Sequence, residues 1–124
     1  MKSQREEIIK FAKTKYNIKP EFLWEKFPSY AVLRNQRNKK CFAVLMNLPK
    51  AKLGLDDTGN IEVMNIKCDT FGIMQLLEED KGFLPAYHMN KKYWISVLLD
   101  NSVELDRIKN LLQMSYDLID KKTK

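Results

Sequence analysis

Hydrophobic and polar positions along the chain predict three amphipathic helices and two groups of strands. Helices are indicated where apolar residues recur every three or four positions, and strands where apolar runs are short or alternate with polar residues. The predicted helices span residues 3–16, 70–80 and 101–122, and the predicted strands span 30–34, 40–47, 61–67, 86–89 and 93–98. This order, α-β-β-β-α-β-β-α, predicts one α+β domain over residues 1–124, a two-layer sandwich in which helices cover an antiparallel sheet of about five strands.

Local signals mark the helix ends. Ser3 and Glu6 have the spacing of a capping box, and Asp69 is a good N-cap for the second helix, with Gly82 expected at its C′ position. Asn101 or Ser102 could cap the third. Two apolar stripes are expected to be buried, one on the second helix and one on the third: Phe71, Met74 and Leu77, and Leu105, Ile108, Leu112, Tyr116 and Ile119.

Residues 82–99 hold the clearest predicted β-hairpin. Its arms are residues 86–89 and 93–98, joined by the polar loop 90–92. Successive side chains of a strand point to opposite faces. We expect Tyr93, Ile95 and Val97 to face the helices and Trp94 to lie on the open face of the sheet, which would be solvated or used for binding.

A cluster of apolar and aromatic residues precedes the first strand. Residues 21–28 contain Phe22, Leu23, Trp24 and Phe27. Aromatic side chains dominate the buried area of most proteins, so we interpret this cluster as a corner of the core. The alternative is an exposed platform on which nucleic-acid bases stack.

Positive charge is concentrated in one segment. The formal net charge is +6, and residues 26–55 contain seven basic residues and no acidic one. Residues 30–34 and 40–47 would form a hairpin with a basic tip, followed by a basic loop. Such a segment on a nearly neutral body is typical of a polyanion-binding surface, and the alternative is a solvated face that aids solubility.

The residues that usually carry catalysis are sparse. The chain has one histidine and two cysteines, Cys41 and Cys68, which we expect to be free and buried. An enzyme would have to be built around His88 with Asp69, Cys68 or Tyr93, and no nucleotide-binding, hydrolase or zinc-protease motif is present. We therefore expect no catalytic activity, no cofactor and no metal site.

The N-terminus and the hydropathy pattern bear on location. Residues 1–10 are polar and of mixed charge, without the apolar segment of a signal peptide, and no apolar run approaches the length of a membrane span. We expect a cytoplasmic protein that does not enter a membrane.

Several stretches resemble the MmcQ/YjbR family, small bacterial proteins whose fold is similar to that of secretion chaperones and of CyaY. They occur in the order of the family along nearly the whole chain: 24–28 (WEKFP), 40–43 (KCFA), 65–69 (NIKCD), 82–97 (GFLPAYHMNKKYWISV) and 115–118 (SYDL). The resemblance implies the same α+β fold. It also implies DNA binding, the function usually given to this family, and no catalytic residues.

Charge and resemblance together predict a DNA-binding protein that contacts phosphates with little sequence specificity. The expected partner is double-stranded DNA, and the alternative is a protein-interaction module; we expect a monomer or a weak dimer. The predicted contact residues are Arg34, Arg37, Lys39, Lys40, Lys50, Lys52, Lys67, His88, Asn90, Lys91, Lys92 and Trp94.

Overall fold

A computed structural model describes residues 3–55, 58–79 and 81–120. It contains three α-helices, five strands and one short 3₁₀ helix. In chain order these are α1 (Gln4–Tyr16), β1 (Ala31–Arg34), β2 (Cys41–Pro49), the 3₁₀ helix (Lys50–Leu53), β3 (Asn60–Lys67), α2 (Thr70–Glu78), β4 (Phe83–Pro85), β5 (Trp94–Leu98) and α3 (Leu105–Ile119). The predicted fold class and element order are confirmed.

The strands form one antiparallel sheet in the order β1-β2-β3-β5-β4. All three helices cover one face, where Ile8, Ile73 and Ile108 pack with strand residues such as Leu45 and Ile95. The other face carries a smaller apolar cluster to which no α-helix contributes. That open face is covered only in part, by residues 21–30 and by the loop 86–93.

Helix capping explains where α1 begins and why α3 begins late. The Ser3 hydroxyl accepts from the Glu6 amide, and the Glu6 carboxylate accepts from the Ser3 amide, so the capping box is confirmed. At α3 the hydroxyl and amide of Ser102 both donate to Asp100, which forms a turn. The predicted start at residue 101 or 102 is therefore wrong. The predicted extension to residue 122 is also too long, since α3 ends at Ile119; residues 121–124 lie outside the described part.

The predicted buried face of α2 is wrong for Phe71 and Met74, whereas Leu77 is partly buried against the core as predicted. Ile73 and Leu76 are buried, whereas Phe71 and Met74 are 69% and 58% exposed. The sequence of α2 is apolar nearly all round, so periodicity alone does not select a face. The Asp69 carboxylate caps α2 as predicted, accepting from the Gly72 amide. Gly82 is not its C′ residue, because α2 ends at Glu78.

The last two strands form a hairpin, but its first arm is misplaced in the prediction. β4 is formed by Phe83–Pro85, and residues 86–93 form a loop rather than a strand and a tight turn. The backbone of Tyr87 is hydrogen-bonded by side chains, and His88 has a left-handed φ of 55° that interrupts an extended strand.

The predicted orientation of β5 is largely confirmed. Ile95 and Val97 pack beneath the helices, and Trp94 lies on the open face with Leu98. Tyr93 precedes the strand and is exposed rather than directed inward. Both cysteines are free, as predicted, but only Cys68 is fully buried.

A buried serine of α3 closes the sheet at one end. The Ser115 hydroxyl donates to the Phe42 carbonyl at 2.6 Å and accepts from the Lys67 amide at 2.8 Å. These backbone groups lie just beyond the last β2–β3 pair, Ala43 and Ile66. The hydroxyl thus takes the place of the next hydrogen bonds of the ladder.

Ser115→Ala should destabilise the fold by about 2 kcal/mol, because it leaves two buried backbone groups without a partner. Urea unfolding measures this loss. Ser102→Ala is the control: Ser102 is exposed, and its loss should have a much smaller effect. Equal effects of the two substitutions would contradict the role given to Ser115.

Candidate functional site

The sheet topology divides the predicted contact residues into separate groups. β2 begins after the tip of the first hairpin and ends at the 3₁₀ helix, so its length, roughly 25–30 Å at the usual rise per residue, separates Lys40 from Lys50. The basic segment is therefore not one continuous patch. Nine predicted residues lie at the hairpin-tip end of the sheet: Arg34, Arg37, Lys39, Lys40, Lys67, Asn90, Lys91, Lys92 and Trp94.

The antiparallel register explains this convergence. β3 ends at Lys67, opposite Trp94, the first residue of β5. The Trp94 amide donates to the Asn90 carbonyl, and the Thr70 hydroxyl donates to the Lys92 carbonyl. These contacts hold the loop 90–93 beside the end of β3, next to the hairpin tip.

The two arginines at this end are held by carboxylates. Arg37 forms an ion pair with Asp120 and also donates to its carbonyl at 2.9 Å, which joins the hairpin tip to the end of α3. Arg34 lies 3.4 Å from Glu21 and donates to the Lys39 carbonyl at 3.2 Å. Both arginines therefore stabilise the local structure.

The lysines at this end are differently placed. Lys39, Lys40, Lys91 and Lys92 are exposed and Lys67 is half-buried, and no ion pair involves them within the described ranges. We refer to these five residues as the lysine cluster. Asn90, in contrast, has a structural role, because its side-chain oxygen accepts from the Lys92 amide.

Neither thiol is activated for catalysis by its surroundings. Burial raises the pKa of Cys41 despite the nearby charges of Arg34 and Lys67, and burial raises the pKa of Cys68 as well. Cys68 bonds through its amide to the Tyr93 carbonyl. Neither Cys68 nor Tyr93 lines the cavities that His88 lines.

The aromatic segment is exposed, so its interpretation as a core corner is wrong. Phe22, Leu23, Trp24 and Phe27 are each between 43% and 58% exposed. Phe27 stacks on Tyr30 with ring centroids 4.8 Å apart, and Trp24 meets Tyr30 edge-on at 5.9 Å. The segment runs across the open face of the sheet, where Tyr30 packs against the smaller apolar cluster.

Two buried polar residues hold the loop 86–93, which faces the aromatic segment across the open face of the sheet. Asn65 of β3 and Ser96 of β5 are paired in the sheet and almost inaccessible to solvent. The Asn65 amide donates to the Tyr87 carbonyl at 2.9 Å, the Ser96 hydroxyl donates to Asn65 at 2.5 Å, and the Tyr87 amide donates to Ser96 at 3.0 Å. We call this arrangement the Asn65–Ser96 clamp. It holds the backbone of Tyr87 above the sheet.

Between the segment and the loop lie two cavities of about 310 and 440 Å³. They share Phe27, Tyr30, Tyr87 and His88, and we refer to them together as the aromatic groove. The rings of Tyr87 and His88 stack with centroids 3.9 Å apart. The remaining lining residues are Trp24, Lys26, Pro28, Ser29, Val44, Met46, Asn47, Leu48, Pro49, Lys52, Asn65 and Met89.

Charge in this groove has one sign. Lys26 and Lys52 line it, and none of its described lining residues is acidic. Of the predicted contact residues, only His88 and Lys52 are here. The sequence analysis did not select Tyr30, Asn65, Tyr87 and Ser96; a polar residue within each of two apolar strands was the available signal for the clamp.

Other kinds of site find no support in the described ranges. These contain no group of three or more histidine, cysteine, aspartate or glutamate side chains arranged to hold a metal ion. No helix within them has the length and apolar character needed to cross a membrane.

Comparison with known proteins identifies one similar sequence and two similar structures that are described here. The chain is 42% identical over 114 residues to the uncharacterized protein YyaQ of Bacillus subtilis (strain 168), covering 92% of this chain and 96% of YyaQ. A crystal structure of a Pseudomonas syringae protein matches with a TM-score of 0.87 and 38% identity, over 92% of this chain and 97% of that one. A Deinococcus radiodurans protein, 22% identical, shares the fold with a TM-score of 0.60 over 83% of this chain and 68% of its own. The model of the YjbR family matches residues 13–118, and the chain therefore belongs to the YjbR family.

Proposed function

We propose that this protein binds nucleic acid through the lysine cluster and has no catalytic role. The observation that supports this most is the convergence of Lys39 and Lys40, Lys67, and Lys91 and Lys92 from three separate segments at one end of the sheet. A concentration of cations on one surface attracts the phosphate backbone.

The chemistry of the cluster indicates how it binds. Lysine is a flexible point charge, so it suits phosphate contacts, whereas reading a base edge usually needs the planar fork of arginine. The arginines here are held by Glu21 and Asp120. We therefore expect little sequence preference, a dissociation constant of about 10⁻⁴ to 10⁻⁶ M and a strong dependence on salt. Both double-stranded DNA, the partner expected from the sequence, and single strands offer such phosphates.

The test is charge reversal at exposed members of the cluster. Lys39→Glu, Lys40→Glu and Lys91→Glu together should weaken binding to a labelled oligonucleotide at least about tenfold, and should reduce the slope of log K against log salt by about 0.9 for each lost phosphate contact. Fluorescence polarisation at several salt concentrations measures both. Arg37 is left unchanged, because it also bonds to Asp120 at the end of α3, and its loss would alter that contact as well as the charge.

The matched control reverses the same number of positive charges at positions outside the lysine cluster. Lys10 and Lys13 are exposed on α1, on the helical side, and Lys81 is exposed at the far end of the sheet. Reversing these three should leave the affinity within a few-fold. Equal losses in both variants would mean that only total charge matters, and no binding at low salt would overturn the proposal. In that case a protein partner, the alternative expected from the sequence, would become the leading hypothesis.

A further inference from the structure

We infer that the aromatic groove takes unpaired bases, so that the nucleic acid bound by this protein is single-stranded. This inference rests on the proposed function, since the lysine cluster would supply the phosphate contacts. It adds a second surface, which contains Trp24 and Phe27 of the segment that the sequence offered as an alternative stacking platform, and it commits to one form of the ligand.

The groove offers flat apolar surfaces at its walls. On one side the Phe27 and Tyr30 rings are stacked within 22° of parallel, and on the other the Tyr87 and His88 rings are within 12°. Aromatic side chains in such positions bind bases by stacking, whatever the base, because every base has a flat π-face. Contiguous exposed apolar surface of this kind is typical of an interaction site.

Charge complementarity selects a negatively charged occupant. Lys26 and Lys52 line the second cavity, and no acidic residue lines either cavity in the described ranges. Glu62 accepts a hydrogen bond from Asn47, which lines the groove, but its negative charge is paired with Arg5 at 3.1 Å. A purely apolar peptide or lipid tail would leave the lysines unused, whereas a nucleotide strand has both flat rings and phosphates.

The groove is continuous with the lysine cluster. Asn65, which lines the groove, and Lys67, which belongs to the cluster, lie two residues apart on the same face of β3. A strand held by phosphates at Lys67 could extend along the open face towards Lys52. Bases of a duplex are paired and stacked internally, so only an unpaired strand presents base faces to such a groove.

The wall of the groove formed by Tyr87 and His88 has its conformation fixed by contacts within the protein. The Asn65–Ser96 clamp holds the Tyr87 backbone, and His88 is kept in a left-handed conformation that places its ring beside that of Tyr87. A groove that is already formed lowers the ordering cost of binding.

The test compares three labelled ligands of equal phosphate number: a single-stranded oligonucleotide, an abasic strand of the same length that lacks the bases, and a duplex of half that length. We expect the natural single strand to bind about 5- to 150-fold more tightly than the abasic strand, the range expected for one stacked base. Trp24→Ala with Phe27→Ala should remove this difference and leave the abasic strand unaffected. The conservative pair Trp24→Phe with Phe27→Tyr should retain it. All variants are checked by thermal melting, and both sites are exposed in the folded protein.

The outcomes separate this inference from the proposed function. If all three ligands bind equally and the lysine variant weakens all of them, nucleic-acid binding stands and the groove inference is overturned. If no ligand binds at low salt, both are overturned. A free nucleoside monophosphate that binds as tightly as the strand, with the same loss in the alanine variant, would overturn the inference in favour of a small-molecule site.

Discussion

Gly82→Ala is expected to lower the free energy of unfolding by about 3 to 4 kcal/mol, from a strained backbone and a steric clash together. Gly82 has a φ of 81°, a conformation that residues with a Cβ atom rarely adopt. An alanine Cβ would also lie 2.3 Å from Cγ2 of Val103, a buried residue that precedes α3. The Gly82 carbonyl accepts from the Leu98 amide at 2.8 Å, so the backbone cannot move away without losing this hydrogen bond.

The chain provides a control that separates the two causes. Gly54 has a φ of 73°, and a Cβ placed there would have no neighbour within 4 Å. Gly54→Ala should therefore cost only the backbone term, about 1 to 2 kcal/mol. Urea unfolding of the two variants measures the difference. Equal losses would show that the contact with Val103 relaxes at no cost, and would contradict the close packing described here.

Asn65→Ala should destabilise the protein by about 3 kcal/mol and also abolish the contribution of the bases to binding. The substitution leaves the Tyr87 carbonyl and the Ser96 hydroxyl without their buried partner, and each unsatisfied group costs about 1 to 3 kcal/mol. Without the clamp the backbone of Tyr87 loses its position above the sheet, and the wall of the aromatic groove is lost with it.

A double-mutant cycle tests whether the clamp acts as a unit. The effects of Asn65→Ala and Ser96→Ala should be non-additive by about 0.5 to 3 kcal/mol, because both remove parts of one network. Asn60→Ala is the matched control on the same strand; Asn60 is exposed and should contribute little. Additive losses, or unchanged base-dependent binding in a folded Asn65→Ala protein, would contradict this account.

The candidate site was only partly predictable. The basic residues and the aromatic residues were evident as types, but their grouping depended on the topology. Lys40 and Lys50 are close in sequence and lie at opposite ends of β2, whereas Lys40 and Lys92 are far apart in sequence and lie at the same end of the sheet. The sequence predicted Arg37 as a contact residue, whereas in the structure it forms an ion pair with Asp120.

The features that could be predicted from sequence alone depend on interactions between near neighbours. The capping box of Ser3 and Glu6, the Asp69 cap and the β1–β2 hairpin each involve residues close along the chain, and all are confirmed. Regular spacing of apolar residues was also sufficient for the number and order of the α-helices and strands, because each of them must bury one side.

Tertiary packing, in contrast, was needed to fix the features that depend on distant partners. It selected the buried face of α2, exposed the aromatic segment, and placed the first arm of the last hairpin at Phe83–Pro85. The Tyr87 backbone leaves the sheet because Asn65, 22 residues away in sequence, supplies its hydrogen bond. Local sequence propensity contains no information about such a partner. The groove therefore could not be predicted, because it forms only where β3, β5 and the loop 86–93 meet in the folded protein.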